Sequence, residues 1–133
     1  MNITRNAVYN YICDEILAAY PTMYVSGKYE PVPASLPAVF IREIGDFRNR
    51  ENMTFTGSQG VRTSTVEIQV VSSRLNGSLS EAYAILETVR TACFDLIYNE
   101  TNVVVVEDGS NGMNYRLRAS YRRIIGDSDS MPT

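Results

Sequence analysis

The chain has 133 residues, 44% hydrophobic and 20% charged, with a formal charge of −3. Such a chain builds one core of ordinary globular make-up, has no apolar run of the about eighteen residues a membrane span needs, and does not suit a nucleic-acid binder, which is usually basic. It has no histidine, which excludes Ser-His-Asp and Cys-His catalysis and metal sites built on imidazole.

Met1 to Asn6 lack the basic-then-apolar pattern of a secretory signal, which points to a cytosolic product. From Ile3 to about Tyr20 the spacing predicts an amphipathic helix. Val8, Ile12 and Ile16 recur every fourth residue beside Tyr11 and Ala19, and Arg5, Asn6, Asn10 and Asp14 form the wet side. Pro21 ends it, because the residue before a proline avoids helical geometry. Cys13 in this helix and Cys93 further on are the only cysteines; in a reducing compartment both read as small buried side chains.

Pro21 to Pro37 is a loop holding four of the five prolines. A short extended piece at Met23 to Ser26 is able to pair at a sheet edge. Tyr20, Tyr24 and Tyr29 have the apolar bodies and polar tips that suit a protein interface. Ala38 to Ile44 is a strand closed by Gly45 and Asp46. The polar stretch from Asp46 to Gly60, with Arg48, Arg50 and Glu51, reads as a long exposed hairpin arm or loop. It is expected to be mobile in a lone subunit and to order on assembly.

Val61 to Ser73 alternates, with Val66, Ile68 and Val70 facing one way and Thr65, Glu67 and Gln69 the other. Ser78 and Glu81 match a capping box that opens a second helix. Its stripe is Ala82, Leu86, Val89, Cys93 and Leu96, widened by Tyr83, Phe94 and Ile97; each large side chain buried there contributes about 1.5–3 kcal/mol. A turn at Asn99 to Asn102 precedes the four-valine strand Val103 to Val106, one face of which meets the helices while the other needs cover. Asp108 to Gly112 is a hairpin turn. In the returning strand Met113, Tyr115, Leu117, Ala119 and Tyr121 share one face, and Asn114, Arg116, Arg118, Ser120 and Arg122 share the other. Asp127 to Thr133 has little to bury and reads as a mobile tail.

The elements make an α+β fold, a mixed, mostly antiparallel twisted sheet with both helices on one face. Residues 1–126 form a single domain carrying an arm at 46–60, and 127–133 follow as a tail. The far sheet face is left open to solvent or to a partner. There Arg116, Arg118 and Arg122 either pair across strands with Glu67 or Glu107, or pair with acids of a neighbouring subunit. Asp14–Glu15 and Glu107–Asp108 are solvated charge, and neither G-x-G-x-x-G nor G-K-[ST] occurs. No catalytic, cofactor-binding or metal-binding residue stands out, so the chain reads as a structural or assembly subunit and not an enzyme.

The stretches ICDEILAAY, DFRNRENMTFTGSQG, TVEIQVVS, EAYAILETVRTACFDLI and VVVVEDGSNGMNYRLRASYRRI, in that order, resemble the tail terminator, or tail-completion, proteins of long-tailed bacteriophages. The resemblance runs from Ile3 to Ile125. It implies a virion protein at the head-proximal end of the tail, assembled in the host cytoplasm as a homo-oligomeric, hexameric ring. Such a ring stops growth of the tail tube and docks onto the filled head, so the tail tube protein and a head-completion or connector protein are its partners. DNA passes through it without specific binding, and no cofactor is implied. The arm's Arg48, Arg50 and Glu51 are, on this resemblance, contacts to neighbouring subunits or to the tube. A net −3 per copy suits passage of DNA better than grip. Two other readings stay open: a stopper or adaptor ring of the same connector, or a small cellular protein-binding domain.

Overall fold

The computed structural model describes residues 3–28, 33, 35–49, 61–73, 78–106, 114–126 and 131. Helix α1 spans Arg5–Ala19. Thr4 caps it, its Oγ1 accepting from the Ala7 N–H at 3.1 Å and so satisfying one of the free first-turn donors. Val8, Ile12 and Ile16 are its buried residues, as the four-residue spacing predicts. Helix α2 spans Leu79–Asp95, and Ser78 Oγ accepts from the Glu81 N–H at 3.0 Å. The Glu81 carboxylate reaches outward to accept from Ser72 Oγ at 2.9 Å, which ties the helix start to the end of the preceding strand.

Five strands form one sheet in the order β1 (Tyr24–Ser26), β2 (Ala38–Asn49), β3 (Val61–Ser73), β5 (Asn114–Gly126), β4 (Asn99–Val106). Only β1 runs parallel to its neighbour; β2–β3, β3–β5 and β4–β5 are antiparallel. The expected edge pairing near Met23 to Ser26 is therefore present. Gly45 and Asp46 do not close β2. A register shift between Glu43 and Gly45 absorbs an extra residue, and the strand stays paired to Asn49, opposite Val61. Arg48 thus belongs to the sheet, opposite Arg62, while Arg50, Glu51 and the rest of the expected arm lie outside the described residues. The turn expected at Asn99 to Asn102 is instead the start of β4, which bulges between Glu100 and Asn102.

Both helices cover one sheet face. Ile12 and Ile16 of α1, Ile85, Leu86 and Val89 of α2, and Ile41, Ile68, Val70, Leu117 and Tyr121 of the sheet share the main core. Tyr83, Phe94 and Ile97, expected to widen the α2 stripe, are exposed; Ile85 and Ala92 occupy that side instead. Cys93 is buried as expected, whereas Cys13 is half-buried. Met131, from the expected tail, packs half-buried against the main core.

The far sheet face is not uniformly wet. Ala38, Phe40 and Val71 form a second, small buried cluster there, with Tyr24 and Leu36 packed on it. The rings of Tyr24 and Phe40 meet edge to face at 6.4 Å. So the proline-rich loop spends Tyr24 on this cluster, and Tyr20 packs on the main core; Tyr29 is outside the described residues. Glu67 and Gln69, expected on a wet face, are buried.

Candidate subunit interface

The three arginines expected to act as one row divide in two. Arg116 is 4% exposed, and its Nη1 donates to Gln69 Oε1 at 2.8 Å. Gln69 Nε2 donates to Glu67 Oε1 at 2.8 Å, and Arg42 Nη2 meets the same oxygen at 3.3 Å. This chain of polar side chains crosses from β5 through β3 to β2. Arg116 is thus buried and bonded inside the subunit, beside the second cluster, and not on an open row with the other two.

Arg118 and Arg122 are exposed on that same face and have no hydrogen-bond or ion-pair partner among the described residues. Strand register places Val104 across from Arg118 and Asn99 across from Arg122. Ile124, one step further along the face, is 60% exposed. A shallow groove of about 380 Å³ runs here, lined by Ile97, Asn99, Thr101, Arg122, Arg123 and Ile124. Arg123 points to the other side, buried, and donates to the Leu96 carbonyl at the end of α2.

Ile97 lines the groove in a strained conformation. Its φ is 63°, in the left-handed region, where a β-branched residue is a true outlier. The reason is the helix end. Ile97 N–H donates to Phe94 O and Tyr98 N–H to Cys93 O, both at 2.9 Å, the paired bonds of a Schellman close whose left-handed position is usually glycine. Tyr98 and Cys93 are buried in the core and lock the turn. The Ile97 side chain gains nothing from this, being 67% exposed.

The helix layer on the opposite side is acidic at one place. Tyr11 OH donates to Asp95 Oδ2 at 3.4 Å, and Glu15 lies one turn beyond Tyr11 on α1. The Tyr11 hydroxyl is held above its usual range by burial first and then by the charges of Asp95 and Glu15, so both acids border the same side chain. Asp14, Glu15 and Asp95 are all exposed. No basic residue occupies the last turn of either helix.

Groups with chemical potential are tied up in the fold. Glu100 accepts from Arg90 Nε at 2.8 Å, from Arg90 Nη2 at 3.2 Å and from Tyr121 OH at 2.9 Å, and Arg90 Nη1 also donates to Glu87 at 2.6 Å. Tyr98 OH donates to Ser64 Oγ, which donates to Glu43, each at 2.9 Å. Burial pushes the Cys93 thiol and the Tyr121 hydroxyl well up, opposite to what a nucleophile requires. A cleft of about 270 Å³ between α1 and β2 is lined by Arg5, Tyr9, Arg42 and Glu43 among others. Among the described residues, no three of Cys, Asp and Glu stand close enough together to hold a metal ion.

With this geometry in view, known proteins offer a likeness of fold. A chain in the virion of a native gene transfer agent particle superposes with a TM-score of 0.61 at 14% identity, over 89% of this chain and 93% of that one. A sheath/tube terminator of an extracellular contractile injection system, in its extended state, gives a TM-score of 0.42 at 11% identity, over 100% of this chain and 62% of that one. No family model matches the sequence, and no curated protein matches it either. The two-helix, five-strand architecture is thus shared with a virion component, at an identity too low to carry more than the fold.

Proposed function

We propose that this chain is a structural subunit of a phage-tail-like particle, and within it a tail terminator. In this role a ring of copies caps the head-proximal end of the tail tube, ends tube growth and presents the surface on which the head docks. The observation that carries the reading is the shared fold with a gene transfer agent virion chain over 89% of this chain, which agrees with the resemblance in the order of its sequence segments. The site chemistry points the same way: the thiols and the Tyr121 phenol are shifted away from reactivity, and Glu100 is consumed by Arg90 and Tyr121. The ring is hexameric in this reading, its partners are the tube protein and a head-side connector protein, and DNA passes through it unbound. The stretch from Asp46 to Gly60, with Arg48, Arg50 and Glu51, contacts a neighbour or the tube in this reading.

The test is electron microscopy of tail tubes grown from tube subunits with and without the purified protein. A terminator shortens the tubes and leaves a ring at one tip. Tubes of unchanged length with bare tips overturn the reading. A ring that binds heads or portals but never tubes identifies a stopper or adaptor instead.

A further inference from the structure

Three features of the described surface stay open in the isolated subunit. Arg118 and Arg122 stand exposed on the far sheet face without a partner among the described residues. Ile97 keeps a left-handed backbone with its side chain in water. Asp95 and Glu15, both exposed, border Tyr11, and Asp95 ends α2, where the helix dipole disfavours an anion. Local conflicts of this kind, left unrelieved within a fold, mark the surfaces where relief comes from outside.

The conflicts are complementary. One surface is basic with an apolar groove, and the other, where α1 meets the end of α2, is acidic. We infer that the Arg118–Arg122 face, with the Ile97–Ile124 groove, docks on the Glu15–Asp95 surface of a second copy of this chain. The occupant is a second copy because this chain itself carries the matching charges. The two patches are different surfaces of one subunit, and a contact in which each copy offers one to the next is head-to-tail, the kind that propagates and closes into a ring when the rotation allows. The inference rests on the ring reading above and adds the surface through which the ring is built. It also gives the exposed arginines a use other than gripping DNA, since an arginine paired at a subunit contact is withheld from the phosphates in the channel.

Two variants test it by light scattering and analytical ultracentrifugation, with circular dichroism as the check on folding. One is Arg118→Glu with Arg122→Glu; the other is Glu15→Lys with Asp95→Lys. Each alone sets like charges against each other, so the concentration for half-assembly rises by roughly a hundredfold. Mixed together, the acidic sheet face of the first meets the basic helix surface of the second, and the unchanged arginines of the second meet the unchanged acids of the first. Assembly therefore returns only in the mixture, with the two chains in equal number. Single variants that assemble as the parent does overturn the inference, and so does a mixture that stays monomeric. In both of those cases a parent chain that still forms rings and shortens tubes leaves the terminator reading standing. A parent that stays monomeric with and without tubes removes both.

Discussion

Arg116 Nη1 lies 2.8 Å from Gln69 Oε1 on the sheet face turned away from the helices, so this buried arginine is bonded to a neutral amide of the neighbouring strand. Gln69 then passes the contact to Glu67. The separation matters for how charge changes propagate. Truncating Arg116→Ala strands a buried amide oxygen and costs about 1–3 kcal/mol. Arg118→Ala, at an exposed position without a partner among the described residues, changes stability by no more than about 0.5 kcal/mol. Chemical denaturation of the two variants side by side checks this. Equal effects would mean that the face is solvated along its whole length. By the same logic Arg116→Glu places an anion beside Glu67 and unfolds the subunit, whereas reversal at Arg118 leaves it folded.

Helix α2 should respond to mutation on one side only. Leu86→Ala removes a fully buried side chain and costs about 2–5 kcal/mol. Tyr83→Ser and Phe94→Ser alter exposed positions and stay within about 0.5 kcal/mol in the isolated subunit. Urea midpoints of the three variants separate the cases. A loss of several kcal/mol at Phe94 would mean that it belongs to the core after all.

Alkaline pH should weaken the subunit. Burial raises the Cys93 thiol above its ordinary 9.0, and burial followed by the Cys93 and Glu100 charges raises the Tyr121 phenol above its ordinary 10.0. Both groups are neutral when protonated, and the folded chain keeps their protons to higher pH than the unfolded chain does. Their contribution is complete below about pH 9 and falls as pH rises, because the unfolded chain then releases protons that the folded chain holds. The slope from Cys93 alone approaches about 1.4 kcal/mol per pH unit above its ordinary value. Unfolding free energies measured from pH 8 to 11 should show the decline, and Cys93→Ala should flatten it. An unchanged slope in that variant would place the titration elsewhere.

What the sequence disclosed followed from periodicity. Val8, Ile12 and Ile16, or Leu117, Ala119 and Tyr121, repeat with the period of their element, and their burial matches. Two cues were present but weaker. The run Ala38-Val39-Phe40-Ile41 lacks alternation, as befits a strand covered on both faces, although the far face was expected to be open. Glu67 and Gln69 hid that cover, because a polar residue in an alternating strand looks solvated whether or not the loop folds over it. The edge strand β4 was obscured at its start, since Asn99-Glu100-Thr101-Asn102 has turn composition and an edge tolerates it. Arg118 and Arg122 were legible as surface charge; Glu15 and Asp95 as their complement were not, because the two acids are eighty positions apart in sequence and meet only through Tyr11.

The end of α2 went unread for a related reason, and it yields the last prediction. A Schellman close is normally announced by glycine, and here isoleucine stands in that place and prolongs the apolar stripe. Replacing Ile97→Gly removes the left-handed penalty of about 1–2 kcal/mol. Glycine gives part of this back, since its unfolded chain is more flexible by about 0.5–1 kcal/mol. The exposed isoleucine side chain contributes little burial to offset the rest, so the isolated subunit gains about 0.5–1 kcal/mol. Ile97→Ala keeps a Cβ at φ 63° and keeps most of the penalty, so it should gain little. Thermal unfolding at a concentration below assembly compares the three chains. A glycine variant no more stable than alanine would show that the turn relaxes in solution. Were both less stable than the parent, Ile97 would contribute packing within the subunit, and its place in the groove would be part of the fold and not of a contact between copies.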